Sequence, residues 1–255
     1  MASSKEIKKQ IIREDPWAVL RSFTDARIAL GSTGTSIPLK ETLRFKMAHA
    51  NARDAVYSTL ETDDLLTSLQ QFKLPIYLLH SNAKNRLDYL QRPDKGRQLN
   101  INSIIQLEPE KNNVYDIAFV IGDGLSATAI NHHAIKVLKL IIPQLQQHFN
   151  VAPISIVKEA RVAVADEIGA TLHVKITVIF IGERPGLSAS DSMGIYLTYN
   201  PLIGLTDDSR NCISNIRQGG LSYQTAADKL LYLINESMRL RLSGTALKDN
   251  TGLIS

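Results

Sequence analysis

Three short runs in this 255-residue chain pair apolar stretches with groups that can bind or react. They are Gly122-Asp123-Gly124-Leu125-Ser126-Ala127, Gly182-Glu183-Arg184-Pro185-Gly186-Leu187 and Asn211-Cys212-Ile213-Ser214-Asn215-Ile216-Arg217. The first two directly follow the apolar runs "IAFVI" and "ITVIFI". Turns that follow such strands are where open parallel sheets bind ligands. Glu183 and Arg184, stiffened by Pro185-Gly186, would present a carboxylate and a guanidinium from a rigid loop. That loop suits hydrogen bonding to a polar ligand, or a local Glu-Arg ion pair at a strand end.

The first run matches G-x-G-x-x-A, a permissive form of the dinucleotide fingerprint. The acid expected about twenty residues later to hold a ribose is missing, because no Asp or Glu lies between Asp123 and Glu159. Asp123 would also repel a phosphate. A tight turn, a contribution to a ligand crevice and a dinucleotide cradle are the three readings, the last being the weakest. Cys212 is the lone cysteine. A catalytic thiol needs a base that lowers its pKa. His132 and His133 fall in one predicted helix, His49 in another and His173 near a strand start, with no spacing that pairs any of them with Cys212. Cys212 therefore reads as a packing residue or as one wall of a ligand site. Metal motifs of the C-x-x-C or H-E-x-x-H type are absent. His132 and His133, as helix neighbours, point in different directions and make poor joint ligands.

The elements that must hold these runs begin with a segment whose Ser3 and Glu6 form a capping-box pattern, ended by Pro16. "GSTG" precedes a long helix with Ser36 as its cap, Pro38 in its first turn and Leu39, Leu43 and Met47 on one apolar face. It lacks the Gly-Lys-Ser/Thr ending of a P-loop. A second helix is predicted near Asp63 to Gln71, and "KLPIYLLHS" as a short strand. Arg92, Asp94 and Arg97 form a charged cluster around Pro93, either solvated or facing an anion or partner. From about Ile101 the texture changes. Strands at "IAFVIG", "PISIVKEA", "HVKITVIFIG" and "GIYLTY" alternate with helices over Ala127 to Phe149, "VAVADEIGATL" and a long C-terminal helix capped by Ser222. A long loop follows "GIYLTY" and ends in the Cys212 run. Near-continuous apolar strands separated by helices read as α/β: a Rossmann-like, mostly parallel sheet with helices on both faces. The expected organisation is a mainly helical N-terminal region over 1–100 and the sheet domain over 101–255.

Composition bounds the function. Net charge is only +4 and aromatics are 6%, scattered, which argues against nucleic acid. No apolar run reaches the length of a membrane span, and the start has no secretory h-region. A single cysteine fits a reducing cytoplasm.

Six motifs in order, "ARIALGSTGTSIP", "RPDKGRQL", "GDGLSATAI", "GERPGL", "NCISNIRQGGLSY" and "LSGTALKD", carry a closer match. Together they resemble the small (light) subunit family of ethanolamine ammonia-lyase, from about Ala26 to Asp249. The resemblance implies an adenosylcobalamin-dependent enzyme that converts ethanolamine to acetaldehyde and ammonia by radical chemistry. It implies a separate large subunit, a TIM barrel holding the substrate, and a small subunit that covers the cobalamin at the interface. Carried over by position, corrinoid contacts fall on Val162, Glu183 and Cys212, with no catalytic residue and no metal ligand on this chain. All three would lie at the carboxyl ends of strands. D-x-H-x-x-G, whose His replaces the cofactor's own base on cobalt, is absent. Relatives often carry a longer N-terminal extension linked to bacterial microcompartments; here some twenty-five residues precede the first motif. The rival classes are a nicotinamide-dependent oxidoreductase, which lacks its ribose-binding acid here, and a non-catalytic scaffold module.

Overall fold

A computed structural model of the chain describes residues 12–249. The expected N-terminal helix around Ser3 and Glu6 falls mostly outside that range. The chain divides into two compact units, 12–53 with 186–189, and 54–185 with 190–249.

The first unit carries most of helix α1 (Leu39–Tyr57). Ser36 does not cap it. Ser36 closes a tight turn with Thr33, and the first helical N–H bonds, from Glu41 and Thr42, go to the Pro38 carbonyl at 3.0 and 3.1 Å. Glu41 is buried and anchors the unit. Its carboxylate accepts from Arg21 and Arg44 at 3.2 and 3.0 Å, and Arg27 donates to its carbonyl. Leu39, Leu43 and Met47, the expected apolar face, are exposed.

The second unit is a six-stranded mixed sheet in the order β1-β3-β2-β4-β5-β6. The strands are β1 (Ile76–His80), β2 (Ile117–Gly122), β3 (Ile154–Lys158), β4 (Ile176–Gly182), β5 (Met193–Tyr199) and β6 (Arg210–Ile216). The first four are parallel; β5 runs antiparallel to β4 and to β6. The helices are α2 (Thr62–Leu69), α3 (Arg86–Gln91), α4 (Ile101–Leu107), α5 (Ala127–Leu145), α6 (Val164–Thr171) and α7 (Tyr223–Leu240). Local sequence explains the starts: Asn85, Asn100, Ser126 and Ser222 each accept a backbone N–H from the first turn of α3, α4, α5 and α7. None of the helices among the described residues is long and apolar enough to cross a membrane.

β2 and β4 are buried along their whole length, which is why both read as unbroken apolar runs. Two cores result. One lies under α5 and α7 and includes Ile117, Phe119, Phe180, Ile195 and Ile213. The other lies under α4 and α6 and includes Ala118, Val120, Ile179 and Ile181. On this second face α6 packs on β4 and β2. α7 covers β5 and β6 from the opposite face; on the other side β6 carries the exposed side chains of Cys212 and Ser214, and β5 the half-buried Tyr196 between the buried Gly194 and Thr198.

A strand over Arg210–Ile216 replaces the loop expected there. It is an edge strand whose only buried apolar residues are Ile213 and Ile216, with a buried Arg210 at its start, so its polar sequence lacks the apolar alternation that marks a strand.

Candidate functional site

The Gly122-Asp123-Gly124 turn closes on its own protein. Asp123 is buried, and its two carboxylate oxygens accept the N–H groups of Glu159 and Ala160, both at 2.8 Å. Arg86 bridges Asp123 and Glu159 at 3.5 and 3.0 Å. Tyr89, fully buried, lies between the guanidinium groups of Arg86 and Arg161, 4.7 and 4.2 Å from its ring centre. Its hydroxyl donates to the Ala160 carbonyl at 3.0 Å. Gly124 has φ +59°, and a Cβ there would stand 2.2 Å from the Gly182 carbonyl oxygen. The glycine lets the turns after β2 and β4 touch, with Leu125 N–H bonded to that carbonyl at 3.0 Å. Asp123 therefore uses the donors of the β3–α6 turn and shapes the segment leading to Val162. Burial pushes its carboxyl up to about 6, helped by Glu159 and opposed by Ala160 N–H and Arg86.

Val162 sits in that turn, half-buried, and packs on the α4/α6 core. It lines a cleft of about 610 Å³ with Arg97, Arg161, Glu167, Asp207 and Arg210. The floor is charged. Arg210 pairs with Asp166, both side chains 2% exposed, and also holds Asp207 and the Leu205 carbonyl at 3.0 Å. Nε of Arg161 and of Arg210 are buried with no hydrogen-bond partner among the described residues. Of the charged cluster around Pro93, Arg92 and Asp94 form an exposed two-pronged pair, 3.0 and 2.8 Å, while Arg97 faces the cleft.

Glu183 follows β4 immediately. Its N–H bonds the Ser192 carbonyl at 2.9 Å, and its Oε2 accepts from Ser192 Oγ and from Asn215 N–H at 3.3 Å. Oε1 lies over Gly194, where a Cβ would come within 3.1 Å of it and 3.3 Å of the Tyr196 ring. Tyr196 packs on the same core as Val162 and faces Cys212 directly across β5 and β6. Although the residue is exposed, desolvation by the surrounding protein pushes the thiol pKa up, opposed by the neighbouring Tyr196 hydroxyl and helped by Glu183. It stays protonated and is a poor nucleophile.

The structure thus gathers Glu183, Tyr196 and Cys212 into one shelf. Val162 lies on the same face, in a cleft wall that includes Arg210, two residues before Cys212. Glu183 and Val162 are in turns at strand carboxyl ends; Cys212 is not. It lies within β6, because β6 is a strand and β5 is antiparallel. Gly194, Tyr196, Ser192, Arg210 and Asp166 did not emerge from sequence reasoning. The alternation Gly194-x-Tyr196-x-Thr198 against Met193, Ile195 and Leu197 is the signal that places the first of these opposite the apolar face.

A family model described as "Ethanolamine ammonia-lyase light chain (EutC)" matches residues 14–248. Over 240 residues the chain is 50% identical to the ethanolamine ammonia-lyase small subunit of Azotobacter vinelandii strain DJ, covering 92% of this chain and 89% of that one. It is 49% identical to the small subunits of Pseudomonas aeruginosa LESB58 and Pseudomonas fluorescens SBW25, covering 92% of this chain and 88% and 87% of theirs. A match from before α1 to beyond α7, with about half the positions identical, leaves one conclusion: the chain belongs to the ethanolamine ammonia-lyase light-chain family.

Proposed function

We propose that the chain acts as the small subunit of an adenosylcobalamin-dependent ethanolamine ammonia-lyase, and that the Glu183–Tyr196–Cys212 shelf with Val162 holds part of the corrinoid. The observation that carries this reading is the half-open face at Tyr196 of β5 and Cys212 of β6. Residues from two turns and two strands converge there, while α6 packs over β2 and β4 and α4 over β1.

The residues suit a corrinoid. Its rim is studded with amide groups, which a carboxylate oxygen can accept from, and its ring is a broad apolar plate. Glu183 Oε1 supplies the acceptor, since Oε2 is already occupied. Gly194 keeps the shelf low, and the neutral Cys212 thiol, Tyr196 and Val162 offer apolar or aromatic contact. A cleft of about 610 Å³ is too small to enclose such a macrocycle. The rest of the cofactor would rest on a second chain, the large subunit, which also holds ethanolamine. When bound, adenosylcobalamin supplies the radical chemistry that yields acetaldehyde and ammonia; this chain supplies binding and orientation. The Arg92–Arg97 cluster and the N-terminal region over 1–100 are assigned to contact with the large subunit.

The test is co-expression with the large subunit, incubation with adenosylcobalamin and ethanolamine, desalting, and visible absorption. Corrinoid retained, and acetaldehyde formed only with both chains, is the expected result. Retention and turnover that do not depend on this chain would leave it a scaffold and refute the proposal.

A further inference from the structure

Beyond the shelf, the structure brings together three metal-ligating side chains that the lyase reading does not use. His132 and His133 of α5 and Asp191 of the β4–β5 loop each offer one ligand atom, all within 4.8 Å of one another. Their being neighbours on a helix does not keep them apart: the two rings meet edge to face, centres 5.8 Å apart, with Asp191 opposite. His133 is the fixed member, 3% exposed. Its Nδ1 lies 2.9 Å from Tyr223 Oη, at the start of α7, and its Nε2 lies 3.3 Å from Asp191 Oδ2.

We infer that His132, His133 and Asp191 form a site for a divalent cation of borderline softness, zinc, with water as the fourth ligand. Two ligands held about 2.0 Å from a zinc ion at the tetrahedral angle stand about 3.3 Å apart. His133 Nε2 and Asp191 Oδ2 already have that separation, which is long for a hydrogen bond between them. With its proton on Nδ1, the His133 ring donates to Tyr223 Oη and turns the Nε2 lone pair toward Asp191. A polar partner that fixes the tautomer in this way is what metal-binding histidines have. His132 is exposed and can rotate to close the third bond. Two imidazoles, one carboxylate and water make an open set that suits zinc over calcium or magnesium. Lys136 opposes the ion through Tyr223: its Nζ donates to Tyr223 Oη at 3.4 Å and lies 5.1 Å from that ring's centre, so the tyrosine stands between the ammonium and His133 Nδ1.

A bound ion would tie α5 to the β4–β5 loop one residue before Ser192, whose hydroxyl bonds Glu183. The loop already has one tether there, Ser126 Oγ to the Ser190 carbonyl at 2.9 Å.

The full chain, stripped with chelator, is titrated with zinc by calorimetry, and with cobalt(II) followed by visible absorption. One saturable equivalent of zinc, with a Kd on the order of 1 µM, and the visible bands of four-coordinate cobalt are expected. His132→Gln and Asp191→Asn should each weaken zinc by about tenfold or more and abolish the cobalt bands. Cys212→Ser and His173→Gln should change neither, separating this site from the thiol and from adventitious imidazole. Both site variants change half-exposed or exposed groups, and metal-free melting curves matching the parent confirm their fold. No saturable binding, or binding equal in parent, His132→Gln and Asp191→Asn, overturns the inference.

Discussion

Replacing Glu183 with Gln isolates the polar contact of the proposed corrinoid shelf. The carboxylate divides its work between its two oxygens. Oε2 accepts from Ser192 Oγ and Asn215 N–H, and Oε1 lies over Gly194 on the open face. Gln has the same shape but one acceptor, so it cannot do both. If its oxygen keeps Ser192 and Asn215, its NH2 faces the shelf and meets an incoming amide N–H donor to donor. A hydrogen bond to a charged group contributes about 1.5–3 kcal/mol, which is about 10- to 150-fold in affinity. Stability should change by less than about 1 kcal/mol, because Ser192 can still donate to the amide oxygen. The assay is equilibrium retention of adenosylcobalamin by the two-subunit complex, read by absorption after gel filtration, beside urea melts of this chain. Unchanged retention in a folded Glu183→Gln complex would refute the assignment. A large loss of stability would move Glu183 from the ligand to the framework.

Three further outcomes follow from the packing. Asp123 should make stability fall as pH rises from about 4 to about 6. Its folded pKa is raised, so the protonated form is favoured by folding and ionisation costs the fold; the rise from 3.8 to about 6 corresponds to about 3 kcal/mol. The stability advantage of the parent over Asp123→Asn should shrink across that window, and a constant difference would count against it. Gly124→Ala should cost more than about 3 kcal/mol, since its Cβ meets a backbone carbonyl at 2.2 Å that no side-chain rotation can clear; equal urea midpoints would exclude this. Asp166→Ala should cost about 3–5 kcal/mol by leaving Arg210 buried with only Asp207 and a carbonyl, whereas a mild effect would mean water reaches the guanidinium.

The line between what was readable and what was not runs through particular residues. Strands buried on both faces announce themselves, so β2, β3 and β4 were legible, with Glu183 in the turn after β4; Val162 came only from the family resemblance and stands before a helix that begins two residues later than expected. The cap at Ser222 was legible because an N-cap bond is local, three residues long. Ser36 failed because a competing turn with Thr33 took its backbone. The role of Asp123 was hidden, since its partners Arg86, Glu159 and Ala160 lie more than thirty residues away.

Family membership and the α/β class were therefore set by sequence alone, through ordered motifs and apolar periodicity. The direction of β5, the existence of β6 and the half-open shelf between Gly194, Tyr196 and Cys212 were decided only in three dimensions. An edge strand is stabilised by pairing with its neighbour, and which face a helix leaves uncovered depends on where distant segments pack. The same holds for His132, His133 and Asp191: helix geometry alone argued against a joint site, and a loop fifty-eight residues away from His133 supplied the missing ligand.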